Sequence, residues 1–207
     1  MNKLTARRRA QILSVLVEGN SVRSTCRITG AAKGTVLSPL EVAGAACRQY
    51  HNETVQGVIT RRVQCDTIWS FCHNKERNTA PEHDGGFGFG DVWTWVALDA
   101  DTKLALTWLV GGRSGETAYV FMQDTANRPA GRVQLTTDGL KSYLDAVDNA
   151  FGGEIDYAQL VKLYGTDPNA ATEHRYSPPV CVETETNVVR GDPVRRTSRP
   201  ARLNART

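Results

Sequence analysis

Two aspartates sit where an ionised carboxylate is costly to keep. Asp66 lies between Cys65 and Thr67 inside RVQCDTIWSF, and Asp138 ends RVQLTTD; both runs read as strands. Burying such a group is expensive unless it is paired or holds a metal. In open sheets, sites collect at strand ends, so aspartates on neighbouring strands can converge on a divalent ion. Carboxylates holding two Mg2+ ions would activate a water or a 3′ hydroxyl and stabilise the leaving oxygen in phosphodiester chemistry. A plainer alternative stays open, in which Asp66 pairs with an arginine and Asp138 caps a helix beginning at Gly139.

The second chemical signal is a division of charge. Residues 1–62 carry ten Lys/Arg and three acids, net +7; residues 63–189 carry nine and eighteen, net −9; residues 190–207 carry six and one, net +5. A basic head is the footprint expected for a phosphate-backbone partner, with Arg7, Arg8, Arg9, Arg23, Arg27, Lys33 and Thr35 as the candidate DNA contacts. An acidic middle repels DNA unless cations intervene, which suits metal-holding carboxylates and equally suits a solvated acidic surface.

These residues need elements to position them. Residues 5–18 place Ala10, Ile12, Leu13, Leu16 and Val17 on one helical face before Gly19. Ser21 can cap a short second helix through Thr29, with Val22, Cys26 and Ile28 available for burial and Gly30 at its end. A third segment from Ala32, carrying Thr35, Val36 and Leu37, completes a helix-turn-helix whose last helix would enter a major groove. Gly34 and Pro39 lie in that segment, so it is expected to be short or kinked.

From Arg62 the pattern changes to strands. DVWTWVALDA and LALTWLVG, separated by the turn-forming Asp99 to Thr102, read as an antiparallel hairpin. A helix capped by Ser114 runs to about Arg128 and is closed by Pro129. RVQLTTD then gives a strand and GLKSYLDAVDNAF a helix. Three strands followed by helix, strand and helix predict an α/β mixed sheet flanked by helices.

With 207 residues the chain holds at most two units. Its composition, 40% hydrophobic and 23% charged, excludes a mainly disordered protein. No apolar run is long enough to span a membrane, and the N-terminus lacks a signal-peptide cleavage site. A cytoplasmic, soluble protein with no membrane partner is expected. Five cysteines without CxxC pairs suit reduced thiols better than disulfides or zinc.

VQCDTIWSF, GDVWTWVALDADTKL, VQLTTDGLKSYLDAV and YAQLVKLYG resemble transposases of the insertion sequence 1 family, over nearly the whole chain to about Gly191. The resemblance implies a ribonuclease H-like core of the DDE type, with Asp66 and Asp138 as the first two catalytic and metal-binding acids and a downstream Glu as the third. It also implies Mg2+ or Mn2+ as cofactor, binding and metal-dependent cleavage and transfer of double-stranded insertion-sequence ends, and a homo-oligomer or a mixed oligomer with an intact transposase. The domains it suggests are a helix-turn-helix module over 1–50, a linker over 51–61, a core over 62–190 and a basic tail over 191–207.

The third acid breaks the resemblance. In the family the Glu lies in a segment similar to His-Val-Ser-Thr-Ser-Tyr-Val-Glu-Arg-Gln-Asn, and no such segment exists here; after Gly191-Asp192-Pro193 the chain reads VRRTSRPARLNART. Read one nucleotide earlier, the codons of Thr197 to Thr207 permit that motif at every position but the Tyr, with the Glu codon straddling Leu203 and Asn204. A frameshift near Pro193 explains this, leaving a disordered cationic tail and the C-terminal part of the fold missing. Glu183 and Glu185, in an expected loop, are poor substitutes for the lost acid, and Glu154 and Glu173 are poorer. The expectation is an impaired transposase, with a DNA-binding fragment that competes with an intact enzyme, or an inert product, as the alternatives.

Overall fold

The computed structural model describes residues 4–83, 85–86, 88–165 and 180–194. They form two compact units that divide between Val55 and Gln56.

The first unit is three helices. The Thr5 hydroxyl accepts from the Arg8 N–H and starts α1 (Ala6–Val17). Ser21 likewise caps α2 (Val22–Thr29) through the Ser24 N–H, and Gly30 ends it at φ 68°, a conformation glycine takes without steric cost. Ile12 of α1 is fully buried, but Val17 is 80% exposed and Ala10 is exposed, so the apolar face is narrower than its spacing predicts. In α2 the buried positions are Thr25 and Thr29 rather than Val22, Cys26 and Ile28. Each threonine hydroxyl donates back one turn, to Ser21 O and Thr25 O, so its polar group is satisfied inside the helix and its methyl is free to pack.

The third segment is not short. It forms α3 (Lys33–Thr54), 22 residues with Pro39 inside. Gly34 falls in the first turn, where entropy loss is the only charge against it. Pro39 lacks an N–H, but it is buried, and its ring shares a groove with Ala10 and Leu13 of α1. Burial against a neighbour offsets a local cost of roughly 3 kcal/mol, which propensity alone cannot register. The start of the expected linker 51–61 lies in α3, and Val58, within the second unit, exchanges two backbone hydrogen bonds with Arg128 O and the Ala130 N–H.

The second unit is built on a six-stranded mixed sheet of order β3-β2-β1-β4-β5-β6. Its strands are β1 (Arg62–Cys72), β2 (Gly90–Asp99), β3 (Ala105–Gly111), β4 (Val133–Asp138), β5 (Ile155–Gly165) and β6 (Val180–Arg190). β1 and β2, β2 and β3, and β5 and β6 pair antiparallel; β1 and β4, and β4 and β5, pair parallel. The hairpin turn after β2 closes on Asp99, whose carboxylate accepts from the Thr60 and Thr102 hydroxyls and the Asp101 N–H.

Helix α4 (Gly115–Ala126), capped by Ser114, joins β3 to β4; α5 (Ser142–Phe151) joins β4 to β5. Both flank one face of the sheet. Fully buried Trp95 of β2 meets Phe121 of α4 at 5.7 Å and Tyr143 of α5 edge-on at 5.3 Å between ring centroids. Register puts Val63, Cys65, Ala97, Leu135 and Tyr157 on this face, and all are buried. The α/β mixed sheet flanked by helices is thus as expected. Strands β5 and β6 were not foreseen, and α5 starts three residues after Gly139.

The last described residues are docked on the sheet. Asp156 accepts the Asp192 N–H and is ion-paired to Arg132 at 2.7 Å, while the Gln134 side-chain oxygen accepts the Val194 N–H. Beyond Val194 the basic tail lies outside the described residues, as does Glu173. Among the described residues no helix is long and apolar enough to cross a membrane, and the five thiols are unpaired.

Candidate functional site

β1 and β4 pair only over Arg62↔Gln134, Val63↔Leu135 and Gln64↔Thr136. Two residues further along each strand stand Asp66 and Asp138. Continuing the register sets them side by side, across a gap of about 4.8 Å between neighbouring strands, where the two strands stop bonding to each other. Side chains alternate between faces, so Asp66 lies opposite to Cys65 and the helix-covered core. Lys162 of β5 shares the face of Leu160, the residue paired with Asp138.

The electrostatics agree with this placement. Burial pushes the Asp66 carboxyl above its ordinary range and the neighbouring Asp138 charge adds to the rise; the Thr67 N–H, donating at 2.8 Å, and the Lys162 ammonium oppose it. Asp138 keeps one oxygen on the Leu140 N–H at 3.0 Å and turns the other toward Arg113 at 3.4 Å. Asp138 therefore caps the turn before α5 rather than the helix, and the arginine of this site pairs with Asp138, not Asp66. The Tyr143 hydroxyl is buried and without a hydrogen-bond partner. Burial drives its pKa well up, and Cys65, Asp138 and Asp66 reinforce this.

The two carboxylates could serve as oxygen donors to a divalent cation. Two half-buried carboxylates side by side repel, and a Mg2+ or Mn2+ held by them would complete its shell with water and phosphate oxygens. Among the described residues no group of three or more His, Cys, Asp or Glu is placed to hold a metal ion. Glu183 and Glu185 lie in strand β6, not in a loop. Paired with Leu163 and Val161, they sit on an edge strand and, by alternation, on the face away from Asp66. Chain pairing to β5 outweighed their polar, Thr-rich sequence. Glu154 is exposed in the turn before β5.

The candidate DNA contacts belong to the first unit. Arg7, Arg9, Arg23, Arg27 and Lys33 are exposed and Thr35 is half-buried at the start of α3. Arg8 departs from expectation. Its guanidinium donates to Thr29 O at the end of α2 and to the Gln11 side chain at 2.6 Å, so it ties α1 to α2 and is less free to meet a phosphate.

Arg113 and Lys162 were missed by sequence reasoning. The one available signal for Arg113 was its position directly after a strand in GGRSGE; for Lys162 there was none, because β5 itself was not foreseen. No protein-family model matches the chain, and a search among curated proteins finds no match.

Proposed function

We propose that the chain is a DNA transposase of the DDE type by descent, able to bind DNA through its helix-turn-helix unit and impaired in strand cleavage. The observation that carries this reading is the adjacency of Asp66 and Asp138 where β1 and β4 part. The strand order β3-β2-β1-β4-β5, with helices after β3 and β4, is compatible with a ribonuclease H-like core and supports this reading. Asp66 and Asp138 would hold one Mg2+ or Mn2+, which when bound supplies charge stabilisation to a phosphodiester and acidity to a water. Arg113, paired with Asp138, and Lys162, which partly opposes the rise at Asp66, would offer positive charge to a phosphate. The third acid's segment is replaced by an arginine-rich one, and Glu183 and Glu185 face elsewhere.

The test pairs binding with cleavage, using duplexes from the DNA flanking the gene. Salt-sensitive binding with preference for those ends, without Mg2+-dependent cleavage, is expected. Cleavage that Asp66→Asn abolishes would show that another residue supplies the third acid; cleavage indifferent to Asp66, or no duplex binding by the folded chain, would remove the reading.

A further inference from the structure

The helix-covered face of β1 and β2 continues past the helices. Trp95 is core, but two residues earlier Trp93 is only half-buried, and its register partner Trp69 is 39% exposed. Phe71, next on the same face, is 48% exposed and tilts against Trp69 with centroids 5.7 Å apart. Each indole carries a cation: the Lys75 ammonium stands 5.0 Å from the Trp69 ring centre and the Arg113 guanidinium 4.4 Å from that of Trp93. Arg113 is also the residue that faces Asp138. Asp91, also on this face, accepts the Glu76 N–H at 3.1 Å.

Such a cluster is unusual for a mere surface. Large aromatic side chains left open lose the burial that would favour them, and three of them in a row beside two cations combine flat apolar faces with fixed positive charge. Nucleobases stack on any aromatic face while their phosphates need cations, so this combination matches an unpaired strand. A duplex keeps its bases stacked inside and presents only phosphates, and a protein partner has no need of a lysine over one ring and an arginine over the other.

We propose that Trp69, Phe71 and Trp93, with Lys75 and Arg113, form a stacking platform for single-stranded DNA that leads to Asp138. The choice of DNA rests on the function proposed above; the stacking itself does not depend on a metal or on the helical unit. Bases unpaired near the scissile position would lie on Trp69 and Phe71 and bring a phosphate to Arg113, whose guanidinium meets both the Trp93 ring and Asp138.

The full chain, in chelator, is titrated with a 15-nucleotide oligothymidylate while indole emission and the oligonucleotide's anisotropy are followed. Binding with quenched emission is expected. Trp69→Ala should weaken it on the order of tenfold, Trp69→Phe should restore most of the affinity, and Lys75→Ala should lower the salt dependence. A melting curve for each variant separates lost binding from lost folding. Unquenched emission on binding, or equal affinity for wild type and a folded Trp69→Ala, overturns the platform. Loss of duplex binding in variants of Arg23 and Arg27, read separately, bears on the helical unit and leaves this result standing.

Discussion

Asp66→Asn removes a charge that is costly first because it is partly buried and then because Asp138 stands beside it. The strands that carry the two charges are about 5 Å apart, and charges at that separation would repel by roughly 3 kcal/mol at an effective dielectric of about 20. Lys162 and Arg113 cancel part of it and solvent screens more, leaving a net of about 1 kcal/mol. Asparagine keeps the shape and can still accept the Thr67 N–H. In chelator the variant is therefore expected to be more stable than wild type, by about 0.5 M in urea midpoint for an m-value of about 2 kcal/mol/M. With Mn2+ at about ten times its dissociation constant the order reverses in sensitivity, since wild type gains about 1.4 kcal/mol and the variant does not. Because the folded carboxyl titrates above its unfolded value, wild type gains stability relative to the variant as pH falls through that raised pKa, and the gap closes on acidification. A variant that is less stable than wild type in chelator refutes the Asp66 charge as a source of strain, and one equally stabilised by Mn2+ refutes Asp66 as a ligand.

Gly191→Ala should destabilise the second unit by more than 1 kcal/mol, because φ is 69° and an added Cβ would lie 2.1 Å from Asp156 Oδ1; urea unfolding and hydrogen exchange at the end of β6 report it. Arg132 holds the Asp156 carboxyl below its usual range. That stability is present above the unfolded value near 3.9 and lost as pH falls through the lowered one, and Asp156→Asn should remove this acid-dependent part of the melting curve. Trp95→Ala should cost about 3–5 kcal/mol, enough to unfold a marginal domain, as calorimetry would show. Arg23→Ala and Arg27→Ala should each reduce the slope of duplex affinity against salt by about 1, whereas Arg8→Ala should act first on the melting of the helical unit.

Local chemistry wrote much of this protein directly into its sequence. Ser21 and Ser114 cap the helices their side chains predict, Thr5 caps α1 in the same way, Gly30 ends α2, and the strand-favouring runs around Asp66 and Asp138 mark strands whose half-buried acids call for partners. The caps involve residues three or four apart, so their physics is contained in a short window. Pairing and packing over long separations decided the rest. Pro39 stays in a long helix because its ring is buried against α1, and Thr25 and Thr29 displace larger apolar residues from the core because α2 rotates to meet its neighbours. Glu183 and Glu185 became strand residues because β5 offered an unpaired edge. The adjacency of the two aspartates is likewise a property of the β1–β4 register, set by residues some seventy positions apart, and Arg113 and Lys162 join them only because β3 and β5 lie where the sheet order puts them. Sequence determined which residues could do chemistry; the sheet determined which of them stand together, because register between distant strands is fixed by the packing of the whole layer and by no local signal.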